Sequence, residues 1–537
     1  MALFQKLKTT VEASKPLTEE QQTFLDAIRR SGPGQAFGLE AKAGTGKTYT
    51  IIRAADHLEG RTLMLAFNAK IRKELQARAP ANCTVHTFHS YCNGALQDGR
   101  RLEIKPGTAK TYAVLKDPKV GVQNFRARWP IAQGISLAKN LAFDILIDGD
   151  KDAWTSIFRE YDIRIPRGVR EEYVVEQAMR VFGITTRDKR AIDYDDMLYY
   201  AASNDAVLRD VWDYVIVDEA QDTNPVQLAV LDRLMANGKT RLIFVGDPQQ
   251  AIYGWRGAGV DAFSTMAERY GAQIFDLTTT WRCPRRVVEE AQRIVPKIRC
   301  ADNAHEGEVL SLAPGDFDAT KVAAGNAILC RNNAPLLRAA LACLQASVPC
   351  VLLGRDMSKA IVFQTGAAFD KYPGALSDAG AFYALRGKYE ADLHDRPFAL
   401  AQALEEVELA QIMHGFLVAR GDEIGGREEM VDAIERVCDR LLCDELRSDR
   451  LVLSTIHRSK GLEWDTVYLI APEKLPSKAA RKMGGWHLTQ EHNLLYVAIT
   501  RAKQRFVYVT NTEDPLSSVI GAGDMADAAE QLGLPTV

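Results

Sequence analysis

The sequence lacks the features that mark membrane and secreted proteins. Its 537 residues contain no run of about 18 apolar residues, and the N-terminus has no apolar core of a signal peptide. The nine cysteines are scattered and odd in number, which indicates reduced thiols rather than a disulfide framework. These absences predict a cytoplasmic protein with no membrane partner.

A large excess of charge of one sign is missing as well. The net charge is −3, so the sequence has no overall basic field that would attract nucleic acid. Basic and aromatic side chains confined to one groove would still bind DNA, so only binding by global attraction is excluded. The length predicts three or four domains.

Metal-ligand residue types cluster once, at Cys83, His86, His89 and Cys92. Structural zinc sites usually draw their ligands from two separated segments, and these four residues would rotate off one face of a continuous helix. The spacing disfavours zinc without excluding it.

A glycine-rich stretch at residues 39–48 organises the rest of the sequence. It follows an apolar segment at 35–39 and precedes a helical segment at 49–58, which is the context of a phosphate-binding loop. Ala41 stands where the complete pattern has a glycine.

The residues of this loop have distinct predicted tasks. Gly44 and Gly46 let the backbone curl so that several N–H groups converge on phosphate oxygens, and the helix N-terminus adds its partial positive charge. Lys47 would reach the β- and γ-phosphates, and Thr48 would ligate Mg²⁺.

An apolar segment at 211–217 ends in Asp218 and Glu219. An aspartate at the tip of a buried strand is placed to hold Mg²⁺, and the neighbouring glutamate to orient or deprotonate a water aimed at the γ-phosphate. Acidic strand ends are commonly only solvated, but Lys47 and Thr48 follow an earlier strand. The combination predicts a site for ATP and Mg²⁺.

A further apolar segment, 240–246, is followed by Gln250, Tyr253, Trp255 and Arg256. Gln250 would sense the γ-phosphate, and the rings would offer faces for stacking on bases, which contributes roughly 1–3 kcal/mol per base. The alternative for the rings is burial in a core.

The alternation of apolar strands and helical segments predicts an α/β fold with two parallel-sheet domains, each with a mainly helical insertion. The predicted first domain comprises residues 1–92 and 191–276, with the insertion 93–190. The second comprises residues 277–355 and 450–512, with a reduced insertion at 356–449, and residues 513–537 form a tail.

Together these blocks resemble superfamily 1 helicases of the UvrD, Rep and PcrA group (SF1A), over nearly the whole chain and in that family's motif order. The resemblance implies two RecA-like motor domains, in a bacterial or phage-like setting. Trp281 departs from the family's usual tyrosine but keeps a stacking face, and Ala69 replaces an asparagine, so one DNA contact is missing.

The resemblance also assigns roles to residues of this sequence. The implied catalytic set, whose two arginines would act as fingers on the γ-phosphate, is Lys47, Asp218, Glu219, Gln250, Arg282 and Arg501. The implied nucleotide-binding set, in which Gln21 reads adenine and Glu463 holds the ribose, is Gln21, Ala43, Gly44, Thr45, Gly46, Lys47, Thr48, Tyr49, Trp281 and Glu463. The implied Mg²⁺ ligands are Thr48 and Asp218. The implied contacts to single-stranded DNA are Phe67, His89, Tyr253, Trp255 and Arg256.

Gln21 has a second interpretation that needs no ligand. Thr18 and Gln21 have the spacing of a capping box, in which the glutamine closes the first turn of a helix. The sequence does not separate this role from adenine recognition.

Two functions follow as expectations. The favoured one is a DNA-stimulated ATPase that moves along single-stranded DNA from 3′ to 5′ and acts at junctions of single- and double-stranded DNA, separating duplex or stripping bound protein. The alternative is an ATP-gated DNA-binding subunit that recruits or licenses a partner nuclease or a defence, replication or repair protein. An RNA substrate is less favoured, because no segment resembles a dedicated RNA-binding module.

Overall fold

The structure is a computed structural model that describes residues 16–98, 102–119, 121–166, 168–188, 190–203, 208, 210–371, 380–421, 426–443, 446 and 448–519. Chain contacts divide it into two compact units, Met1–Thr280 and Trp281–Val537. Each unit contains a large parallel sheet flanked by helices, so the predicted α/β class is confirmed. Most of the predicted tail, residues 520–537, lies outside the described residues.

The first unit is built on a six-stranded sheet in which every neighbouring pair is parallel. Its strands, in lateral order, are Cys83–Thr87, Thr62–Ala66, Tyr214–Val217, Arg241–Gly246, Ala36–Ala41 and Gln273–Leu277. The central strands are almost wholly buried, as is usual for a parallel sheet covered by helices on both faces.

The carboxyl ends of these strands all lie at one edge of the sheet, because the strands are parallel. The helices around the sheet are Glu19–Arg29, Lys47–Ala55, Ala69–Arg78, Phe88–Gln97, Tyr194–Ser203, Pro225–Met235 and Ala262–Arg269. The segments that begin at residues 42, 67, 88, 218 and 247 leave the sheet at that edge. One edge therefore carries the predicted site residues of this unit except Gln21, which lies on the helix Glu19–Arg29.

The residues predicted as the first insertion, 93–190, are mainly helical. Their helices are Ala109–Lys116, Arg128–Asn140, Lys151–Glu160 and Glu171–Arg187. A two-residue strand, Glu103–Ile104, pairs with Ala191–Ile192 where the chain leaves and re-enters the sheet domain. The helices pack around large buried side chains such as Trp154 and Phe158.

A buried group of charges joins this helical region to the segment that returns to the sheet. Asp196 accepts from Lys110 Nζ at 2.8 Å and lies 2.7 Å from Lys139 Nζ, which is 3.6 Å from Asp193. All four side chains are nearly inaccessible to solvent. Buried charges are tolerated only when paired, so this network holds the helices in one arrangement.

The second unit is built on a seven-stranded, fully parallel sheet. Its strands, in lateral order, are Glu308–Leu312, Ala502–Val509, Trp464–Ile470, Ala327–Cys330, Leu451–Thr455, Cys350–Leu353 and Leu442–Cys443. Six of them correspond to apolar segments visible in the sequence. The seventh, Leu442–Cys443, pairs with Leu352 and Leu353 and has no such signal.

The helices of the second unit fall into two groups. Those near the sheet are Arg285–Gln292, Asn333–Gln345, Ile456–Ser459, Lys478–Met483, Gly485–Ile499 and Pro515–Val519. Those within the predicted reduced insertion, 356–449, are Asp356–Lys371, Gly380–Asp392, Pro397–Ala419 and Arg427–Leu441. None of the described helices is both long and apolar enough to cross a membrane.

The first unit extends to Thr280, four residues beyond the boundary expected from the sequence. The strand Gln273–Leu277 pairs along its whole length with Ala36–Ala41, so Leu277 belongs to the first sheet. Two further short strands, Thr279–Thr280 and Arg299–Cys300, follow.

Candidate functional site

The predicted phosphate loop leaves the strand Ala36–Ala41 and ends where the helix Lys47–Ala55 begins. Gly44 and Gly46 have φ angles of 74° and 89°, in the left-handed region where a side chain would be strained. No side chain caps this helix, so its first N–H groups keep the anion-binding character of a helix N-terminus.

Gln21 lies against the start of this helix and is buried. Its Oε1 accepts from the Thr18 N–H at 3.0 Å and its backbone N–H donates to Thr18 Oγ1, so the predicted capping box is present. Its Nε2 donates to Thr50 Oγ1 at 3.0 Å, one turn after the phosphate loop. The two amide atoms are thus held by Thr18 and Thr50 beside the start of the phosphate-loop helix, while adenine recognition stays a prediction.

The predicted acidic pair stands at the end of the strand Tyr214–Val217, close to the phosphate-loop lysine. Lys47 Nζ lies 3.8 Å from Glu219 Oε2, and the Glu219 N–H donates to Asp218 Oδ1 at 2.9 Å. Glu219 has a φ of 55°, an uncommon conformation for a residue with a side chain. The structure thus brings together Lys47, Asp218 and Glu219 as predicted.

The surroundings of Asp218 fit a divalent cation. Burial, reinforced by the neighbouring negative charge of Glu219, raises the pKa of Asp218 to about 7, against the opposing effect of Lys47. A buried carboxylate with too little compensating positive charge nearby is a suitable oxygen ligand for Mg²⁺. The second predicted ligand, Thr48, is in the first turn of the helix Lys47–Ala55.

Gln221 connects this acidic pair to the next strand end, and the sequence did not single it out. Its Nε2 donates to Glu219 Oε2, and its Oε1 accepts from the Asp247 N–H at 3.0 Å. A Cβ at Gly246 would come within 2.4 Å of that Oε1, so the bond requires glycine there. Gln221 therefore helps to fix the Glu219 carboxylate, through the same oxygen that faces Lys47.

Asp247 connects Gln221 to Gln250, the residue predicted to sense the γ-phosphate. Gln250 is buried, and its Nε2 donates to Asp247 Oδ2 at 2.6 Å. The bonds from Glu219 through Gln221 and Asp247 to Gln250 form a continuous chain at the carboxyl edge of the sheet. Only Glu219 and Gln250 were expected from the sequence. Gln221 and Asp247, which connect them, are far apart in the sequence and meet only in the folded sheet.

Two of the predicted DNA-contacting aromatics, Tyr253 and Trp255, lie in the segment just beyond this chain, and Phe67 follows the strand Thr62–Ala66. Phe67 and Tyr253 stack, with ring centroids 5.5 Å apart and planes 18° from parallel. Trp255 is 55% exposed, and the Arg256 guanidinium lies 4.6 Å from its ring centroid. Burial in a core is therefore wrong for Trp255, and its ring face with the adjacent cation is open to a ligand.

His89 lies beside a second exposed aromatic that the sequence analysis did not name. Its ring is 5.7 Å from that of Tyr194, which is 55% exposed. Burial lowers the pKa of His89, although Asp195 acts in the opposite direction. The signal that would have indicated Tyr194 is its position among three aspartates at residues 193–196, where the chain returns to the sheet domain.

The candidate zinc ligands are divided between two elements. Cys83 and His86 are on the strand Cys83–Thr87, whereas His89 and Cys92 are on the following helix. Within the described ranges, no three His, Cys, Asp or Glu side chains are grouped so that they could hold a metal ion.

In the second unit, the structure brings together two residues predicted for the nucleotide. Arg282 Nε donates to Glu463 Oε2 at 2.6 Å, and Arg282 Nη1 donates to the Thr500 carbonyl at 3.4 Å. The Trp281 ring is 58% exposed, so its face is open for stacking.

Arg501, the second predicted finger, is fully buried beside this pair. Its Nε donates to the Val497 carbonyl at 2.9 Å and its Nη1 to the Leu462 carbonyl at 3.2 Å. These bonds hold the guanidinium next to Glu463 in the same unit. A role of Arg501 on phosphate stays a prediction.

The first unit thus has the features of a P-loop nucleotide-binding protein: a parallel sheet, a phosphate loop and an acidic pair at a neighbouring strand end. Family models match the chain as the UvrD/REP helicase N-terminal domain over residues 18–271 and the UvrD-like helicase C-terminal domain over residues 423–513. The chain belongs to the UvrD/Rep family of DNA helicases, as its motifs predicted.

Relatives with known names share this class. F-box DNA helicase protein 1 of Schizosaccharomyces pombe is 25% identical over 529 residues, which is 92% of this chain and 57% of the relative. ATP-dependent DNA helicase UvrD2 of Mycobacterium tuberculosis is 27% identical over 372 residues, 58% of this chain and 50% of the relative. RecBCD enzyme subunit RecB of Mycobacterium tuberculosis is 36% identical over 116 residues, 20% of this chain and 10% of the relative. The chain spans about half the length of the first two relatives.

Proposed function

We propose that this protein is an ATP-dependent motor that moves along single-stranded DNA from 3′ to 5′ and separates duplex DNA or displaces bound protein. The observation that carries the proposal is the chain of hydrogen bonds from Glu219 through Asp247 to Gln250. It links the ATP-hydrolysis residues to the turn that leads directly into Tyr253, Trp255 and Arg256.

At the nucleotide end, the loop 42–46 and the N-terminus of the helix Lys47–Ala55 bind the phosphates, and Lys47 neutralises part of their charge. Thr48 and Asp218 hold Mg²⁺, which when bound neutralises charge on the phosphate oxygens. Glu219 orients the attacking water and accepts its proton at a carboxylate oxygen, while Gln221 keeps that carboxylate in place.

At the DNA end, the ring faces of Phe67, Tyr253 and Trp255 stack on bases, and Arg256 adds positive charge. We assign Tyr194 and His89 to the same surface, because His89 follows the carboxyl end of the strand Cys83–Thr87 and the exposed Tyr194 ring lies 5.7 Å from the His89 ring. Stacking is tolerant of base identity, which suits a motor that must move over any sequence.

In the second unit, Trp281 stacks on the adenine, Glu463 binds the ribose, and Arg282 and Arg501 stabilise negative charge on the γ-phosphate. The Arg282–Glu463 ion pair supports these roles, because it orients both side chains before the nucleotide is bound. An arginine finger is worth about 10³–10⁵ in turnover in related phosphoryl-transfer enzymes.

The test combines hydrolysis and polarity. ATP turnover is measured with and without a single-stranded oligonucleotide, for the parent protein and for Glu219→Gln. Unwinding is then measured on duplexes that carry either a 3′ or a 5′ tail. We expect strong stimulation by DNA, loss of turnover in Glu219→Gln, and unwinding of the 3′-tailed duplex only. Turnover that does not respond to DNA would contradict the proposal.

A second candidate is an ATP-gated DNA-binding subunit that recruits a nuclease or a replication or repair protein. It is favoured by the similarity to RecB, which is named as a subunit of a larger enzyme, and by the extra length of the other two relatives, of which the chain matches only 57% and 50%. ATP-dependent DNA binding without unwinding of either tailed duplex would favour this function over the first.

A further inference from the structure

A lysine that the proposed mechanism does not use is buried within the phosphate loop. The Lys42 side chain is only 2% exposed, and its Nζ contacts both Glu40 Oε1 and Gln249 Oε1. Lysine is almost never fully buried unless it is paired, and Glu40 alone would provide the opposite charge. The contact with Gln249, 207 positions away in sequence, is therefore the informative one.

The main chain of Lys42 is also fixed on both sides. Its N–H donates to the Leu277 carbonyl at 2.9 Å, and its carbonyl accepts from Thr45 Oγ1 at 2.8 Å and from the Thr45 N–H at 3.3 Å. Any movement of residues 43–46 around a phosphate is thus transmitted to Lys42, because Thr45 is bonded directly to its carbonyl.

At the other end, Gln249 is the central residue of the turn Pro248–Gln250. Its N–H donates to Asp247 Oδ1 at 3.3 Å, the same carboxylate whose Oδ2 accepts from Gln250. Four residues further along the chain is Tyr253, where the exposed aromatic segment begins. The turn is therefore held from two sides: by Lys42 from the phosphate loop and by Gln221 from the acidic pair.

We propose that Lys42 is a positioning residue that couples nucleotide binding at the phosphate loop to DNA binding by residues 253–256, through its contact with Gln249. The inference rests on the proposed function. A hydrogen bond from an ammonium group is stronger than one between neutral groups, so this contact resists stretching when the loop moves. Because coupling between two ligands is reciprocal, the same contact transmits the effect of DNA back to the nucleotide.

The coupling is measured as a ratio of affinities. Kd for a fluorescent single-stranded oligonucleotide is determined with and without AMP-PNP, a non-hydrolysable ATP analogue. We expect the two values to differ by about 5- to 150-fold in the parent protein, the usual range of allosteric coupling. Lys42→Met keeps the length of the side chain and removes its charge, and Gln249→Leu removes the acceptor. Each change should bring the ratio close to one.

Two further variants distinguish positioning from a merely structural role. Gln249→Glu keeps an acceptor for Lys42, so it should retain the parental ratio. The double variant Lys42→Met/Gln249→Leu should behave like either single variant, because both remove the same contact. If Lys42→Met fails to fold, Gln249→Leu still decides the matter, since Gln249 is only partly buried.

The outcomes separate this inference from the function on which it rests. A parent protein that binds no single-stranded DNA, or whose ratio is already one, would overturn both. A coupled parent whose ratio survives in Gln249→Leu would overturn the inference alone. So would a Lys42→Met protein that loses affinity for AMP-PNP but keeps the ratio, because Lys42 would then belong to the nucleotide site itself.

Discussion

Replacing Trp255 with alanine tests whether the exposed aromatic segment is the DNA track. The ring is 55% exposed, and the guanidinium of the adjacent Arg256 lies 4.6 Å from its centroid. Little stability depends on such a ring: a surface substitution changes stability by about 0.5 kcal/mol or less, and an exposed cation–π contact contributes about 0.5–1 kcal/mol. The melting temperature should therefore fall by only a few degrees.

The loss on DNA should be larger than the loss of stability. Stacking on one base contributes roughly 1–3 kcal/mol, which corresponds to an increase of about 5- to 150-fold in Kd for a short oligonucleotide. Fluorescence anisotropy across a salt series measures this change. Stacking releases no counterions, so the slope of log Kd against log salt should stay unchanged in Trp255→Ala. Arg256→Gln should instead reduce the slope by about 0.7 if the guanidinium contacts one phosphate.

Trp129 provides a matched control, because it is also an exposed tryptophan, at 46%, on the helix Arg128–Asn140 of the first insertion. Trp129→Ala should leave the oligonucleotide Kd unchanged. Equal losses of DNA affinity in the two variants would show that any exposed ring on this protein contributes to DNA binding. An unchanged Kd for Trp255→Ala at every salt concentration would refute the proposed track.

Three further predictions concern the ATP site and the buried charges. Lys47→Ala should weaken ATP binding and abolish turnover, whereas Glu219→Gln should keep ATP binding and lose turnover, because only the water-orienting group is removed. Equilibrium ATP binding and steady-state ATPase measurements distinguish the two variants. Parental turnover in Glu219→Gln would exclude Glu219 as the base. Trp281→Ala should raise KM for ATP with little change in kcat, since stacking holds ground and transition states alike, and a fall in kcat alone would contradict that role. Asp196→Asn should destabilise the first unit by about 3–5 kcal/mol in thermal unfolding, because it removes the buried negative charge that pairs with Lys110 and Lys139. The control Asp148→Asn, at an exposed position, should have almost no effect.

The central strands of both sheets could be predicted closely because burial on both faces leaves a continuous apolar signal. Ala327–Cys330 and Leu451–Thr455 are such strands, and both are buried throughout. Gln273–Leu277 was different: most of its side chains are exposed or half-buried, and its membership of the first sheet is decided by backbone pairing with Ala36–Ala41. The hydropathy of the segment does not indicate that pairing, and the sequence therefore predicted that the first domain ends at residue 276.

The catalytic residues of the first unit could be predicted because each belongs to a short motif at a strand end. Their supporting residues could not. Gln221 and Lys42 acquire their roles from partners at Asp247 and Gln249, which approach only because the strands Tyr214–Val217, Ala36–Ala41 and Arg241–Gly246 end at one edge of the sheet. The residue types are visible in the sequence, but their contacts depend on strand order, and strand order is a property of the whole sheet.

The first insertion is part of this supporting structure rather than an appendage. Asn140, the last residue of the helix Arg128–Asn140, donates to Asp195 Oδ1 at 3.0 Å and accepts from Asn224 Nδ2 at 2.9 Å. Asp195 is next to the exposed Tyr194, and Asn224 caps the helix that begins just after the acidic pair of Glu219. One side chain of the insertion thus contacts both the proposed DNA surface and the segment that follows the hydrolytic residues. Because these bonds are satisfied only in one placement of the helix, the insertion constrains the spacing between the two functional ends of the first unit.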